Sequence, residues 1–319
     1  MSNLNIECID YKEETEDIIR KFDRKEDFVY HTSGSTGTPK KIVHSYELIK
    51  QVAEENCRYN NYVKDDYIVN ASLPAASIGY PVLSVLPAYI SGCKLRVKAF
   101  SPYEYLDEIK DATHAFILPA VYRVLKKTKK WIDFNFTGMT ISSGADIVPE
   151  GIKKDVLSKG AIKFHHLYGS TEVPPAISDS EDEERIGEKL SPLIDYYIKD
   201  KELLIKWKLQ ESFWQSGDMV TEDLKVTGRK KNILALNCSR LQPETIERYV
   251  LDNTSVNRCM LTIKNDKVWL YYDGNENASV VKEKVEEWYV DSPVTVTKVD
   301  KIQVNKMNKL IRTANYDHS

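Results

Sequence analysis

Between Phe28 and Phe164 the chain repeats one pattern, a short apolar run followed by a longer amphipathic or buried segment, and this constrains its fold most. Phe28-Val29-Tyr30, Tyr67-Ile68-Val69, Leu95 to Val97, Ala115-Phe116-Ile117-Leu118, Met139-Thr140-Ile141 and Ile162-Lys163-Phe164 read as strands. After the first of them, Ser45 is placed to cap a helix whose apolar face is Leu48, Ile49, Val52 and Ala53. Residues 80–91 read as one buried helix, Tyr103 to Ile109 and Ile152 to Leu157 as two more, and Pro119 suits the first turn of another. Repeated strand–helix–strand units imply a layered α/β domain with a mostly parallel sheet. Such sheets present ligand loops at the carboxyl ends of their strands.

The pattern changes after Gly228. Residues 244–252 read as a helix, Cys259 to Ile263 and Val268 to Tyr272 as a hairpin, and residues 278–289 as an amphipathic helix with Val280, Val281, Val285 and Trp288 on one side. Val294 to Val299 reads as a last strand. The expected organisation is a large α/β domain over residues 1–229 and a small α+β domain over residues 230–319.

Charge and cysteines narrow the function class. A net charge of -3 supplies no general basic field for nucleic acid or anionic lipid. The five cysteines form no CxxC pair, which argues against a zinc site or a disulfide framework. The N-terminal residues lack a basic segment followed by an apolar run, and the apolar stretch at residues 78–92 is interrupted by Gly79, Pro81 and Pro87. The expectation is a cytoplasmic protein with neither a nucleic-acid nor a membrane partner.

The sharpest chemical signal is Thr32-Ser33-Gly34-Ser35-Thr36-Gly37-Thr38-Pro39-Lys40. Two glycines permit a tight turn and close approach to a ligand. Hydroxyls at Ser35, Thr36 and Thr38, consecutive backbone N–H groups and the Lys40 ammonium suit phosphate oxygens. The spacing is not that of a Walker loop, because Lys40 follows Gly37 by three residues. Taken by composition, the same string also fits a polar surface loop.

As a string, it resembles the phosphate loop of the adenylate-forming ligases, which include acyl-CoA and aryl-CoA synthetases, peptide-synthetase adenylation domains and luciferases. Later segments resemble the family's other motifs in the family's order. They are Tyr168-Gly169-Ser170-Thr171-Glu172, Glu202-Leu203-Leu204-Ile205, Trp214-Gln215-Ser216-Gly217-Asp218, Gly228-Arg229 through Pro243-Glu244-Thr245-Ile246-Glu247, and Asn308-Lys309-Leu310-Ile311-Arg312. Lys41, Asn232 and Cys238 depart from the family pattern, as does His166, which stands where Asn or Gln is common.

The resemblance implies a role for each matched residue. Tyr168 would stack on adenine, Thr171 would bind the α-phosphate and Glu172 would hold Mg²⁺. Asp218 would accept hydrogen bonds from the ribose hydroxyls, Arg229 would contact the nucleotide, and Lys309 would be the mobile catalytic lysine. Thr32, Ser33, Gly34, Ser35, Thr36, Gly37 and Lys40 would cradle phosphate. Gly144, Ala145, His166, Leu167 and Gly169 complete the nucleotide-binding set. A hinge would sit near Lys231 and Asn232, with Cys238 on the route by which a pantetheine thiol enters.

The implied reaction is ATP- and Mg²⁺-dependent adenylation of a small carboxylic acid, followed by transfer to CoA or a carrier-protein phosphopantetheine. The acid would lie between Ser72-Leu73-Pro74 and Ser142-Ser143-Gly144-Ala145. Residues 75–80 lack the Phe-Asp pair that holds an α-ammonium in amino-acid-activating relatives, so an α-amino acid is disfavoured. Transfer to an amine or a protein nucleophile shares every motif, and a non-catalytic nucleotide-binding module remains a further reading. A homodimer contact is one way to cover sheet edges that a short chain leaves open.

Overall fold

The computed structural model describes residues 5–32, 40–146, 148–149, 151–178, 186, 191–236, 239–265, 267–289, 293–304, 310–312 and 316. The chain divides into two compact units, Met1–Tyr197 with Leu204–Ser216, and Ile198–Leu203 with Gly217–Ser319.

Strands of the first unit are β1 (Ile6–Cys8), β2 (Phe28–Thr32), β3 (Lys40–His44), β4 (Tyr67–Asn70), β5 (Lys94–Val97), β6 (His114–Phe116), β7 (Thr140–Gly144), β8 (Lys163–Tyr168) and β9 (Ala176–Ser178). Its helices are α1 (Lys12–Asp23), α2 (Tyr46–Asn60), α3 (Leu86–Ser91), α4 (Tyr105–Ile109), α5 (Pro119–Leu125), α6 (Lys129–Asp133) and α7 (Ile152–Ser158). Seven strands form one sheet in the order β1-β5-β4-β6-β7-β8-β9. All its pairings are parallel except that of β8 with β9. The alternation in the sequence therefore did mark an α/β sheet.

One core of this unit joins Val69, Ala115, Ile141 and Phe164 of adjacent strands to Ile109 of α4, Val121 and Leu125 of α5, and Ile152 and Val156 of α7. Helices α1, α2 and α3 pack together. Ser45 caps α2 by accepting the Leu48 N–H at 3.3 Å, and Leu48, Ile49, Val52 and Ala53 are all buried.

Three local features depart from the sequence reading. The sequence marks no element before Phe28, yet Ile6–Cys8 forms β1 and Lys12–Asp23 forms α1. The acidic helix buries only Thr15, Ile18 and Ile19, too narrow a stripe to stand out. Residues 80–91 are not one regular helix, because Pro81–Val85 is a π-helical turn before α3. Pro87 lacks an N–H for the carbonyl four residues back, and the Leu86 N–H closes the wider turn on the Pro81 carbonyl. Finally, β2 does not join the large sheet. It pairs antiparallel with β3 from Phe28↔His44 to Thr32↔Lys40, so Lys40 opens the second strand of an antiparallel pair.

The chain continues through β10 (Ile194–Lys199), β11 (Glu202–Trp207), β12 (Trp214–Val220) and β13 (Val226–Arg229), ordered β10-β11-β12-β13 in one sheet. Beyond them are β14 (Leu234–Leu236), β15 (Ser239–Leu241), α8 (Pro243–Asn253), β16 (Val256–Lys264), β17 (Lys267–Gly274), α9 (Ala278–Trp288) and β18 (Val294–Lys298). In the second unit β16 and β17 form the expected hairpin, and β18 adds parallel to β17. Ile246 and Val250 of α8 and Val281 and Val285 of α9 cover one face of that sheet, against Leu261, Leu270 and Tyr272. Met260, Tyr271, Val299, Ile302 and Tyr316 form a second cluster. No described helix is long and apolar enough to cross a membrane.

Candidate nucleotide site

In the first unit the candidate residues gather at the carboxyl ends of β7 and β8. These strands pair in the register Ser143↔His166 and Gly144↔Leu167. Gly144 is required by this approach, since a Cβ there would lie 2.1 Å from the Leu167 carbonyl oxygen. Ala145 follows at φ 71°, a left-handed conformation that costs a non-glycine residue about 1–2 kcal/mol. Strain of this kind concentrates where a backbone is held for function. His166 and Leu167 are buried, whereas Tyr168 at the end of β8 is half-buried.

Beyond β8 the chain turns back into β9, with Tyr168 opposite Ala176. The connecting loop is drawn tight at its base, because a Cβ on Gly169 would lie 2.4 Å from the Pro175 Cα. Within it the Ser170 N–H donates to the Val173 carbonyl at 2.8 Å, and the Val173 N–H donates to Ser170 Oγ at 3.2 Å. Thr171 and Glu172 lie at the tip of this closed turn, both half-buried.

The β2–β3 hairpin reaches two of these motifs. The Lys40 ammonium, at the start of β3, lies 4.6 Å from the centre of the Trp214 ring, a cation–π geometry. His44, at the other end of β3, is buried, and its Nε2 is 2.6 Å from the Thr171 carbonyl oxygen. A carbonyl only accepts, so Nε2 carries the proton. Burial lowers the imidazole pKa, opposed by the Thr171 carbonyl and by the nearby Glu172 charge. The His44 ring also sits 6.2 Å from that of Tyr30, whose phenol burial pushes well up.

In the second unit Asp218 and Arg229 are direct cross-strand partners on β12 and β13. Their side chains form an ion pair, Arg229 Nε to Asp218 Oδ1 at 2.7 Å, with Asp218 buried. The segment Trp214–Asp218 is thus strand and not turn, with Gly217 at φ 72°. Glu202 braces it. One carboxylate oxygen accepts the Gly217 N–H at 3.2 Å and the other accepts Lys230 Nζ at 2.7 Å. The Lys230 pKa is raised by that bond and by the Glu202 charge.

Two more motif ends meet in the same unit. Arg312 donates Nη1 and Nη2 to the two oxygens of Glu247 at 2.9 and 2.7 Å. Glu247 also accepts the Leu261 N–H at 2.7 Å. Burial pushes the Glu247 carboxyl above its ordinary value, against the pull of Arg312 and the Leu261 N–H. Val304 and Leu310 form an antiparallel bridge just before Arg312.

Of the residues singled out from sequence, Lys40, Gly144, Ala145, His166, Leu167, Tyr168, Gly169, Thr171 and Glu172 fall in the first unit, and Asp218 and Arg229 in the second. Thr32 is described as the last residue of β2 in its backbone position alone. Ser33, Gly34, Ser35, Thr36, Gly37, Cys238 and Lys309 lie outside the described residues. Sequence reasoning missed His44, Lys230 and the ring of Trp214 beside Lys40. A histidine ending the strand that follows the loop was the available signal for the first.

The profile of the AMP-binding enzyme family matches residues 10–208, and the chain belongs to that family, within the adenylate-forming superfamily. A 2-succinylbenzoate–CoA ligase of Haemophilus influenzae is 24% identical over 267 residues, which is 74% of this chain and 56% of that protein. The chain therefore spans a little over half the length of this relative. ATP-bound MatB from Rhodopseudomonas palustris shares the fold with a TM-score of 0.73 at 17% identity, over 88% of this chain and 66% of that one. The amide bond synthetase McbA from Marinactinospora thermotolerans gives 0.72 at 16%, over 89% and 68%.

Proposed function

We propose that this protein adenylates a small carboxylic acid. A carboxylate oxygen attacks the α-phosphorus of ATP, the bond to the bridging oxygen breaks, and pyrophosphate leaves as acyl-AMP forms. The observation that carries this reading is the hairpin loop Tyr168–Ala176, which presents Thr171 and Glu172 from a braced turn beside the strand that starts at Lys40. Such a reaction depends on positioning and charge neutralisation more than on covalent help.

The residues present suit the nucleotide and its metal. Tyr168 offers an aromatic face for adenine, Thr171 a hydroxyl for the α-phosphate, and Asp218 a carboxylate for the ribose hydroxyls. Lys40 and the Ser33–Gly37 backbone supply positive potential for phosphate. Among the described residues no group of three or more His, Cys, Asp or Glu side chains forms a metal cage. One carboxylate is enough for Mg²⁺, which is usually held by one or two carboxylates together with substrate phosphates and water. Glu172 is that carboxylate, and the ion would neutralise phosphate charge. Lys309 approaches with the small domain, residues 230–319, turning near Lys231 and Asn232.

The acyl group then passes to a thiol, CoA or a carrier-protein phosphopantetheine, as the sulfur attacks the acyl carbon and the bond to AMP breaks. The similarity to 2-succinylbenzoate–CoA ligase supports this acceptor. The test is ATP–pyrophosphate exchange over a panel of aryl, dicarboxylic, fatty and amino acids, followed by trapping of acyl-AMP with CoA and with simple amines. Acid-dependent exchange with aryl or acyl acids and thioester formation are expected. Exchange with no acid in the panel overturns the reading, and amide without thioester overturns the thiol step alone.

A further inference from the structure

The loop carrying Thr171 and Glu172 is fixed by an unusually complete set of backbone bonds. Four consecutive carbonyls each accept a hydrogen bond. The Thr171 carbonyl accepts from His44 Nε2 at 2.6 Å, and the Glu172 carbonyl from Gln210 Nε2 at 2.8 Å. The Val173 carbonyl accepts from the Ser170 N–H at 2.8 Å, and the Pro174 carbonyl from Trp207 Nε1 at 2.8 Å. No peptide plane in the run can rotate without losing a bond. In a partly buried setting each lost bond leaves an acceptor unsatisfied.

The four donors are not equivalent. Ser170 belongs to the loop itself. Trp207 ends β11 and Gln210 follows shortly after, and the Trp207 N–H also donates to Gln210 Oε1 at 3.0 Å, so this pair forms one buttress. His44 alone comes from β3, the strand that opens with Lys40. It spans 127 positions to do so. Its ring is buried, so the bond does not compete with bulk water. With Nε2–H on a carbonyl, the ring is held in one tautomer and one orientation.

We propose that His44 is a positioning residue, whose Nε2–H locks the Thr171–Glu172 turn to the strand bearing Lys40 and so fixes how Mg²⁺·ATP is held. This rests on the adenylation reading for the identity of the ligand. Loss of the donor leaves Thr171 and Glu172 in place chemically but frees the turn. The deficit then appears in metal-dependent nucleotide binding and in turnover more than in stability.

The experiment compares His44→Phe, which fills the ring volume without a donor, with His44→Gln, whose amide nitrogen reaches about as far as Nε2. Each is measured by thermal melting, by pyrophosphate exchange against Mg²⁺ concentration, and by calorimetric binding of Mg²⁺·ATP without acid. For His44→Phe the expected result is a cooperative melt lowered by only a few degrees, exchange lower on the order of 10- to 100-fold, and a several-fold higher half-saturating Mg²⁺. His44→Gln recovers most of both losses. Wild-type exchange and Mg²⁺ dependence in His44→Phe overturn the proposal, as does a well-folded His44→Gln no better than His44→Phe. If His44→Phe fails to fold, His44→Asn takes its place, since its shorter amide falls short of the carbonyl. If wild type exchanges with no acid, the adenylation reading fails while calorimetry still decides. Weaker Mg²⁺·ATP binding in His44→Phe supports the lock, and equal binding, or no binding by wild type, overturns it.

Discussion

The loop at Thr171 and Glu172 and the segment around Arg312 are positioned by different means. In the loop, neutral N–H groups of His44, Gln210, Trp207 and Ser170 hold backbone carbonyls, and the bracing uses neither the Thr171 nor the Glu172 side chain. Around Arg312 the charged side chain itself is the brace, forked onto buried Glu247 with Glu244 at 3.5 Å. Bracing through the backbone leaves side chains available to a ligand. Bracing through buried charge ties the side chain to the stability of its unit, so damage to the two regions should register in different assays.

The largest expected effect tests the charged region. Arg312→Ala leaves Glu247 buried without its partner, and breaking such a pair costs about 3–5 kcal/mol. Urea denaturation should show that loss in the second unit, with Arg312→Lys intermediate because an ammonium cannot match the two-pronged contact. A loss below about 1 kcal/mol, typical of an exposed pair, would mean that the bridge is loose and that the contrast fails.

Lys309→Ala is the complementary case. It lies three residues before Arg312, yet its removal is expected to leave stability unchanged and to lower adenylation on the order of 10²–10³, about 3–4 kcal/mol of transition-state stabilisation. Pyrophosphate exchange at the wild-type rate in this variant would remove Lys309 from the mechanism. A large drop in stability would place it with Arg312 as a structural group.

Gly144→Ala sharpens the comparison from the first unit. The new methyl meets the Leu167 carbonyl at 2.1 Å, which forces β7 and β8 apart. Overpacking of this kind costs about 1–3 kcal/mol, and Tyr168, next along β8, shifts with it. Calorimetry of Mg²⁺·ATP binding should weaken together with the melt. A fully active and fully stable Gly144→Ala would show that the β7–β8 contact is looser than its register implies.

What the sequence disclosed follows from the range of the forces involved. The parallel sheet was legible because each strand buries its own apolar run, as with Ile68-Val69 and Ile141, and the Ser45 cap because its bond closes within three residues. The β16–β17 hairpin is local in the same sense. The Thr171–Glu172 motif was legible as a string, yet the bonds that hold it were not. His44 acts across 127 positions, and Gln210 sits in a polar turn that no periodicity separates from solvent-facing neighbours. Likewise, the departure of β2 from the main sheet is decided by pairing with β3, which an apolar triplet cannot announce. The Asp218–Arg229 pair became meaningful only once the register put both residues opposite each other.

The smallest effect concerns Glu55, a buried carboxylate that mixes the two modes. It accepts Ser191 Oγ at 2.6 Å and is held by Arg58 through two bonds at 2.6 and 2.9 Å. The Arg58 hydrogen bond lowers its pKa most, with burial opposing and Ser191 adding to the shift. A carboxyl whose folded value is depressed contributes stability that is complete above its unfolded pKa and fades as pH falls through the folded one. The Arg58 side chain is largely exposed, so the contribution is limited to about 0.5–1 kcal/mol. Melting temperature should fall more steeply below about pH 4.5 in wild type than in Glu55→Gln, where that group no longer titrates. At neutral pH the variant should be less stable by that same small amount. Parallel acid limbs in the two proteins would mean that folding does not depress the Glu55 pKa, so that neither Arg58 nor Ser191 holds the ionised carboxylate and the charge brace is absent there.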